Sequence, residues 1–107
     1  MDEKELVIKG IKKFAGKANN NFNIYKIILF GSRARPKYPK DSDIDLMVVS
    51  DGFKGLDFFE RVCKMYDYWE MDYPVDFLCY TVKEFNNLKK RVSIVSKAIS
   101  EGIELSD

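Results

Sequence analysis

Two short, nearly continuous apolar runs bracket a polar connection, and this arrangement constrains the chain more than any other feature. The first run, Ile24-Tyr25-Lys26-Ile27-Ile28-Leu29-Phe30, leads straight into Gly31-Ser32. The second opens with Asp43-Ile44-Asp45-Leu46 and continues to about residue 50. Runs of this length, rich in β-branched and aromatic residues, read as strands covered on both faces. Gly31 permits a tight turn and a close backbone approach. In the connection, Ser32 to Arg35 can form one helical turn, and Pro36 biases Arg35 away from the α region, so a longer helix is not expected.

The 107 residues predict one domain, residues 1–107, with a real core: 46% of the chain is apolar and 14% aromatic. The formal net charge is +1, from 18 basic and 17 acidic residues. That balance gives no case for bulk electrostatic binding of nucleic acid or membrane, so anion binding must come from local charge placement. No apolar segment resembles a signal peptide or a membrane span, and a soluble cytoplasmic protein is expected. Histidine is absent. This excludes Ser-His and Cys-His triads and histidine-ligated zinc, and leaves carboxylates as the natural catalytic and metal-binding groups. Cys63 and Cys79 both sit in apolar patterns and are expected as buried free thiols.

Taken in order, residues 3 to 18 predict an amphipathic helix with Val7, Ile8, Ile11, Phe14, Ala15 and Ala18 at helical spacing. Asp2 is its expected N-cap, and the Asn19-Asn20-Asn21 run its end. Gly10 is a weak point in it. A second helix is expected over residues 55 to 70, with an apolar stripe of Leu56, Phe59, Val62, Cys63 and Tyr66 beside Phe58 and Trp69. This aromatic excess hints at a partner surface. Residues 73 to 80 predict a third strand whose one charge is Asp76. Thr81-Val82-Lys83-Glu84 fits a capping box opening a helix to about residue 90. A last helix carries Ile94, Val95, Ala98 and Ile99 and stops at Gly102, with Ile103 and Leu105 tucking the end back onto the fold. The expected class is α/β (α+β): a small mixed three-stranded sheet flanked by about four helices.

Alternation along a strand places Asp43 and Asp45 on one face, about 6–7 Å apart from two rises of roughly 3.3 Å. Carboxylates so spaced can share hard cations, and in two-metal sites ions about 3.5–4 Å apart clamp the attacking and leaving oxygens of a phosphoryl centre. Magnesium prefers carboxylates, water and substrate phosphates. Asp76 is the natural third member, to complete a metal site and help deprotonate an attacking hydroxyl. Gly31 and the backbone of the turn after it offer N–H groups to an anion, and Ser32 adds a hydroxyl donor. Arg33 and Arg35 are candidates for bidentate phosphate contact. Each feature alone has a blander reading: exposed strand-edge aspartates, an ordinary turn, solvated loop charges. Their combination is what is specific.

Gly31-Ser32, ten residues, then Asp43-Ile44-Asp45-Leu46 resembles the signature of the DNA polymerase β-like nucleotidyltransferase superfamily. The longer string Gly31-Ser32-Arg33-Ala34-Arg35 with Ser42-Asp43-Ile44-Asp45-Leu46 is similar to its minimal nucleotidyltransferase branch, the MNT or MntA-type antitoxins. Asp76, Thr81, Glu84-Phe85 and Glu101-Gly102-Ile103 match that branch as well. The resemblance implies the polymerase β-like nucleotidyltransferase fold. It implies transfer of a nucleoside monophosphate from a nucleoside triphosphate, with ATP the expected substrate, to a hydroxyl, with two magnesium ions. It makes Asp43, Asp45 and Asp76 metal ligands and Gly31 and Ser32 triphosphate binders. The sequence departs from the pattern at Pro36, where glycine usually follows the second arginine; proline fixes φ and removes an N–H.

The same resemblance implies a small helical HEPN toxin as partner, with a toxin tyrosine as acceptor of AMP. The leading expectation is therefore a magnesium-dependent nucleotidyltransferase that silences its partner. The competing one is a non-catalytic module that neutralises by covering, motivated by Phe58, Tyr66 and Trp69. A third is transfer to a small molecule or RNA, against which the near-neutral charge argues. The sequence leaves a homo-oligomer open.

Overall fold

The computed structural model describes residues 2–105. Helix α1 spans Glu3–Phe22, capped by the Asp2 side chain, which accepts from the Glu5 N–H at 2.8 Å. Its buried stripe is Val7, Ile11, Phe14 and Ala18. The helix runs through the asparagine run rather than ending there. Phe22 is held by Phe53 and Tyr68, with ring centroids 5.4 and 6.2 Å away. Asn23, left-handed at φ 49°, ends it, and Asn19 Oδ1 accepts from the Ile24 N–H. Tertiary packing outweighs the turn preference of asparagine.

Strand β1 (Lys26–Phe30) pairs antiparallel with β2 (Ile44–Val49), Lys26 opposite Val49 and Phe30 opposite Asp45. Between them a single 3-10 turn, Ser32–Ala34, forms where one helical turn was expected. A second 3-10 turn, Asp51–Phe53, leaves β2, and helix α2 (Phe58–Tyr66) carries the chain to β3 (Val75–Tyr80). Strand β3 lies parallel to β2, so that Ile44 stands beside Val75 and Asp45 beside Asp76. Helix α3 (Val82–Leu88) follows, with both capping-box bonds between Thr81 and Glu84 in place. Helix α4 (Ile94–Glu101) then stops at Gly102.

The sheet has four strands, not the expected three. Residues Ile103–Glu104 form β4, antiparallel to β1, and the order is β3-β2-β1-β4. The chain gets there by a close approach. A Cβ on Gly102 would fall 2.4 Å from the Ala98 carbonyl and 2.7 Å from Ile28 Cγ2, so only glycine lets the helix end dive against β1. Leu105 N–H then donates to the Ile27 carbonyl at 2.8 Å, and Lys26 pairs with Glu104 at 2.9 Å.

The sheet is covered on both faces. Val7, Ile11, Phe14 and Met65 from α1 and α2 pack on Leu29, Ile44, Leu46, Val48 and Phe77. Phe85, Val95 and Ala98 from α3 and α4 pack on Ile28, Met47, Val49 and Tyr80. Each fully buried Leu, Ile or Phe contributes about 1.5–3 kcal/mol.

The expected apolar stripe of α2 is turned. Its buried face holds Arg61 and Met65, while Phe59 is 77% exposed and Cys63 is exposed. The cause is Arg61, which donates to the Leu56 and Cys79 carbonyls and forks onto Glu84 at 2.7 and 3.3 Å. So fully bonded a guanidinium can occupy a buried face, and the aromatics rotate outward. Of the two thiols, only Cys79 is buried, where burial pushes its pKa up to about 12.

Candidate active site

Register builds the site. Phe30, Asp45 and Asp76 form one row across β1, β2 and β3. Directly paired residues point to the same face, with neighbouring strands about 4.8 Å apart. The next row, Ile28, Met47 and Leu78, lies under α3 and α4. The carboxylate row therefore sits on that same face, one step beyond the covered part. Asp43 precedes β2 by one residue and shares the face of Asp45 by alternation.

The sequence places Asp76 in a strand interior, where a charge is costly. The structure puts it on the exposed side of an edge strand, so no buried partner is required. Asp43 is exposed as well, and Asp45 is half-buried. Burial raises the pKa of Asp45, and the charges of Asp76 and Asp43 raise it further. Three carboxylates thus share one electrostatic neighbourhood, and a cation there would relieve their repulsion.

Gly31 closes the site from the β1 side. Its φ of 71° lies in the left-handed region, and a Cβ would fall 2.2 Å from Asp45 Oδ2. The backbone at the phosphate-cradle candidate is thereby held directly against a metal-ligand candidate. Ser32, half-buried, opens the 3-10 turn beside them.

The two arginines separate. Arg33 is only 3% exposed, and its guanidinium donates to the carbonyls of Ser42 and Lys40 and to Glu3. Burial and these bonds turn it away from a phosphate in this arrangement. Arg35 is exposed and lines a cleft of about 490 Å³ together with Phe30, Gly31, Ala34 and Pro36. The far wall is α4: Ile94, Lys97, Ala98 and Glu101. Sequence reasoning missed Phe30, Lys97 and Glu101. The pairing of Phe30 with Asp45 depends on strand register, and nothing in a short amphipathic helix marks which of its residues overhangs a cleft.

Carboxylate oxygens open to solvent beside a cleft suit magnesium, which takes one or two carboxylates and fills its octahedron with water and phosphate oxygens. Among the described residues no three acidic or thiol side chains by themselves enclose an ion. The donor set fits that mode of binding rather than an all-protein cage.

Part of the sequence and the fold recur in known proteins. Over 45 residues, 40% of this chain and 45% of the relative, the sequence is 47% identical to a Methanocaldococcus jannaschii protein assigned as a protein adenylyltransferase. The match thus spans less than half of that relative's length. Two crystal structures share the fold. One is assigned as a nucleotidyltransferase of Sulfolobus solfataricus, with a TM-score of 0.67 and 22% identity, covering 94% of this chain and 80% of that one. The other is a toxin–antitoxin complex, MntA–HpeT, in which two aspartates two positions apart are changed to glutamate. Its TM-score is 0.61 at 19% identity, covering 92% of this chain and 72% of that one. Residues 11–103 match the family described as Polymerase beta, Nucleotidyltransferase. That span takes in Gly31, the carboxylate row and the cleft between the turn after Gly31 and α4, and the chain belongs to the polymerase β nucleotidyltransferase family.

Proposed function

We propose that this protein transfers AMP from ATP to a hydroxyl, a tyrosine, of a helical HEPN-type toxin and so silences it. The observation that carries the reading is the register of Asp45 with Asp76, which sets two carboxylates side by side, with Asp43 two residues before Asp45 at the entry to β2. The likeness to one chain of a toxin–antitoxin pair supports a toxin as partner. The adenylyltransferase relative supports a protein acceptor.

In this reading Asp43, Asp45 and Asp76 would hold two magnesium ions, and Gly31 and Ser32 would hold the triphosphate. The metal supplies Lewis-acid stabilisation of the charge that develops on the phosphoryl oxygens. The chain's own residues do the rest. The acceptor oxygen forms a bond to the α-phosphorus as the bond to pyrophosphate breaks, and Asp76, the most open carboxylate of the row, takes the hydroxyl proton. In this reading Arg35 and Lys97, which line the cleft with Glu101, would stand beside the leaving pyrophosphate. The partner, in this reading, supplies the acceptor hydroxyl.

Incubation with labelled ATP, magnesium and the protein encoded beside it is expected to label that neighbour. Labelling by wild type that persists unchanged in Asp43→Ala/Asp45→Ala would sink the idea, as would no labelling at all.

A second reading is neutralisation by binding alone. Phe58, Phe59 and Tyr66 favour it, exposed at 55%, 77% and 47% along α2. The double aspartate variant decides between the two. If it still protects cells from the toxin, covering suffices and transfer is dispensable.

A further inference from the structure

We infer that Arg33 is a positioning residue that fastens the separate segments of the active site to one another, rather than a ligand of the nucleotide. The inference rests on the reading of Asp43, Asp45 and Asp76 as the reacting carboxylates. The β2–β3 ladder pairs Asp45 with Asp76, but three stretches of chain enter the site from outside the strands. One is the turn after Gly31, one the loop that delivers Asp43, and one the entry to β3 that delivers Asp76.

Arg33 touches all three. It belongs to the turn itself. Its Nε donates to the Ser42 carbonyl at 2.7 Å, directly before Asp43, and its Nη2 to the Lys40 carbonyl at 3.3 Å. The guanidinium lies 4.9 Å from the ring of Tyr38, in the same loop, and 5.0 Å from that of Tyr73, three residues before Asp76. Its remaining arm, Nη1, reaches Glu3 on α1 at 3.0 Å, and Tyr38 Oη also reaches Glu3 at 3.4 Å. A planar fork can make these contacts together, whereas a lysine ammonium offers a point charge that cannot. Outer contacts of this kind set the orientation of carboxylates that bind metal.

The test uses Arg33→Met and Arg33→Lys in the full chain. Loop mobility is read first, without nucleotide or acceptor, as limited trypsin cleavage after Lys37 and Lys40. Cleavage in Arg33→Met is expected to quicken about 10-fold as local opening becomes easier. Manganese, a paramagnetic stand-in for magnesium, is expected to bind about 10-fold more weakly, the usual effect of losing a group that orients a ligand. In transfer assays kcat should fall about 10- to 100-fold with KM for ATP nearly unchanged. Arg33→Lys should not rescue any of the three. A raised KM with cleavage and manganese affinity unchanged would make Arg33 a phosphate ligand and overturn the inference. Should Arg33→Met fail to fold, Tyr38→Leu removes one stacking face and is expected to move the same readouts by about 3-fold. No change there overturns the inference as well. Failure of wild type to transfer counts against the proposed function, and the cleavage and manganese readouts still decide the role of Arg33.

Discussion

Gly31 lies so close to Asp45 that a single added methyl group would reach within 2.2 Å of the carboxylate oxygen Oδ2. The contact ties the start of the phosphate cradle to the centre of the carboxylate row. Gly31→Ala is therefore expected to do two things. It forces a non-glycine residue into φ 71° and displaces Asp45, costing about 1–3 kcal/mol of stability. Transfer should fall by roughly 100-fold or more, because displacement of a reacting group by about 1 Å costs on that order. Urea unfolding and labelled-ATP transfer measure the two effects. A variant with wild-type rates would show that the contact is not needed.

Asp45 is held against its own stability. Burial and the charges of Asp76 and Asp43 raise its carboxyl pKa, so the folded state binds a proton there more readily than the unfolded chain does. The sign follows: the ionised group costs stability at neutral pH, and the cost fades as pH falls through the raised folded pKa and then the ordinary carboxylate range. Asp45→Asn is expected to abolish transfer and yet raise Tm at pH 7. Solvent screening keeps the gain small, about 2 °C. The difference from wild type should close at low pH. Magnesium should raise Tm of the wild type and not of the variant. A lower Tm for Asp45→Asn at pH 7 would contradict the electrostatic account.

Much of this architecture is legible in the sequence because hydrophobic period and cap chemistry are local. The strands at Ile27, Leu46 and Phe77, and the capping box of Thr81 and Glu84, follow from a few neighbouring residues. The fourth strand is not legible, because Ile103 and Glu104 are too few to show alternation and pair only after Gly102 has passed close to β1. The outward turn of Phe59 is not legible either. Periodicity assigns arginine to the surface, and Arg61 is buried only because Glu84 and the Cys79 carbonyl await it from distant parts of the chain. At the site, the spacing of Asp43 and Asp45 is written in the sequence. Their nearness to Asp76 depends on strand register, and the inward turn of Arg33 depends on the carbonyls of a loop whose path no pattern encodes.

The Arg61–Glu84 pair should behave as a fold determinant. Arg61 is 6% exposed, so removing the Glu84 side chain leaves a buried guanidinium short of its carboxylate and the Thr81 N–H without its capping-box acceptor. Glu84→Ala is expected to cost about 2–4 kcal/mol. The hydrogen bond from Arg61 is the main reason the Glu84 pKa is lowered. Its stabilisation is thus full at neutral pH and is lost as pH falls through the ordinary carboxylate range and then the lowered folded pKa. Lys17 and Glu70 also pair, but at the solvent-exposed surface, and Lys17→Ala should leave stability nearly unchanged. Denaturant midpoints for the two variants at pH 7 and pH 4 make the comparison. Equal losses at pH 7 would refute the distinction drawn between the pairs.

Arg35 and Lys97 line one cleft from its two walls, one after the 3-10 turn and one on α4. Neither belongs to the carboxylate row, so they are expected to act on binding of the triphosphate more than on the bond that breaks. Arg35→Ala and Lys97→Ala should each raise KM for ATP by about 5- to 10-fold, with kcat falling less than about 3-fold. The effect should shrink as ionic strength rises, because exposed charges are screened over about 8–10 Å near physiological salt. Pro36 lines the same cleft, where the minimal branch usually has glycine. Pro36→Gly loosens the backbone without removing either cation and should change KM by less than about 3-fold. Steady-state kinetics at 50 and 300 mM salt separate these cases. If Lys97→Ala lowers kcat and leaves KM alone, the lysine acts on the reacting centre, and the cleft is then not the triphosphate's seat.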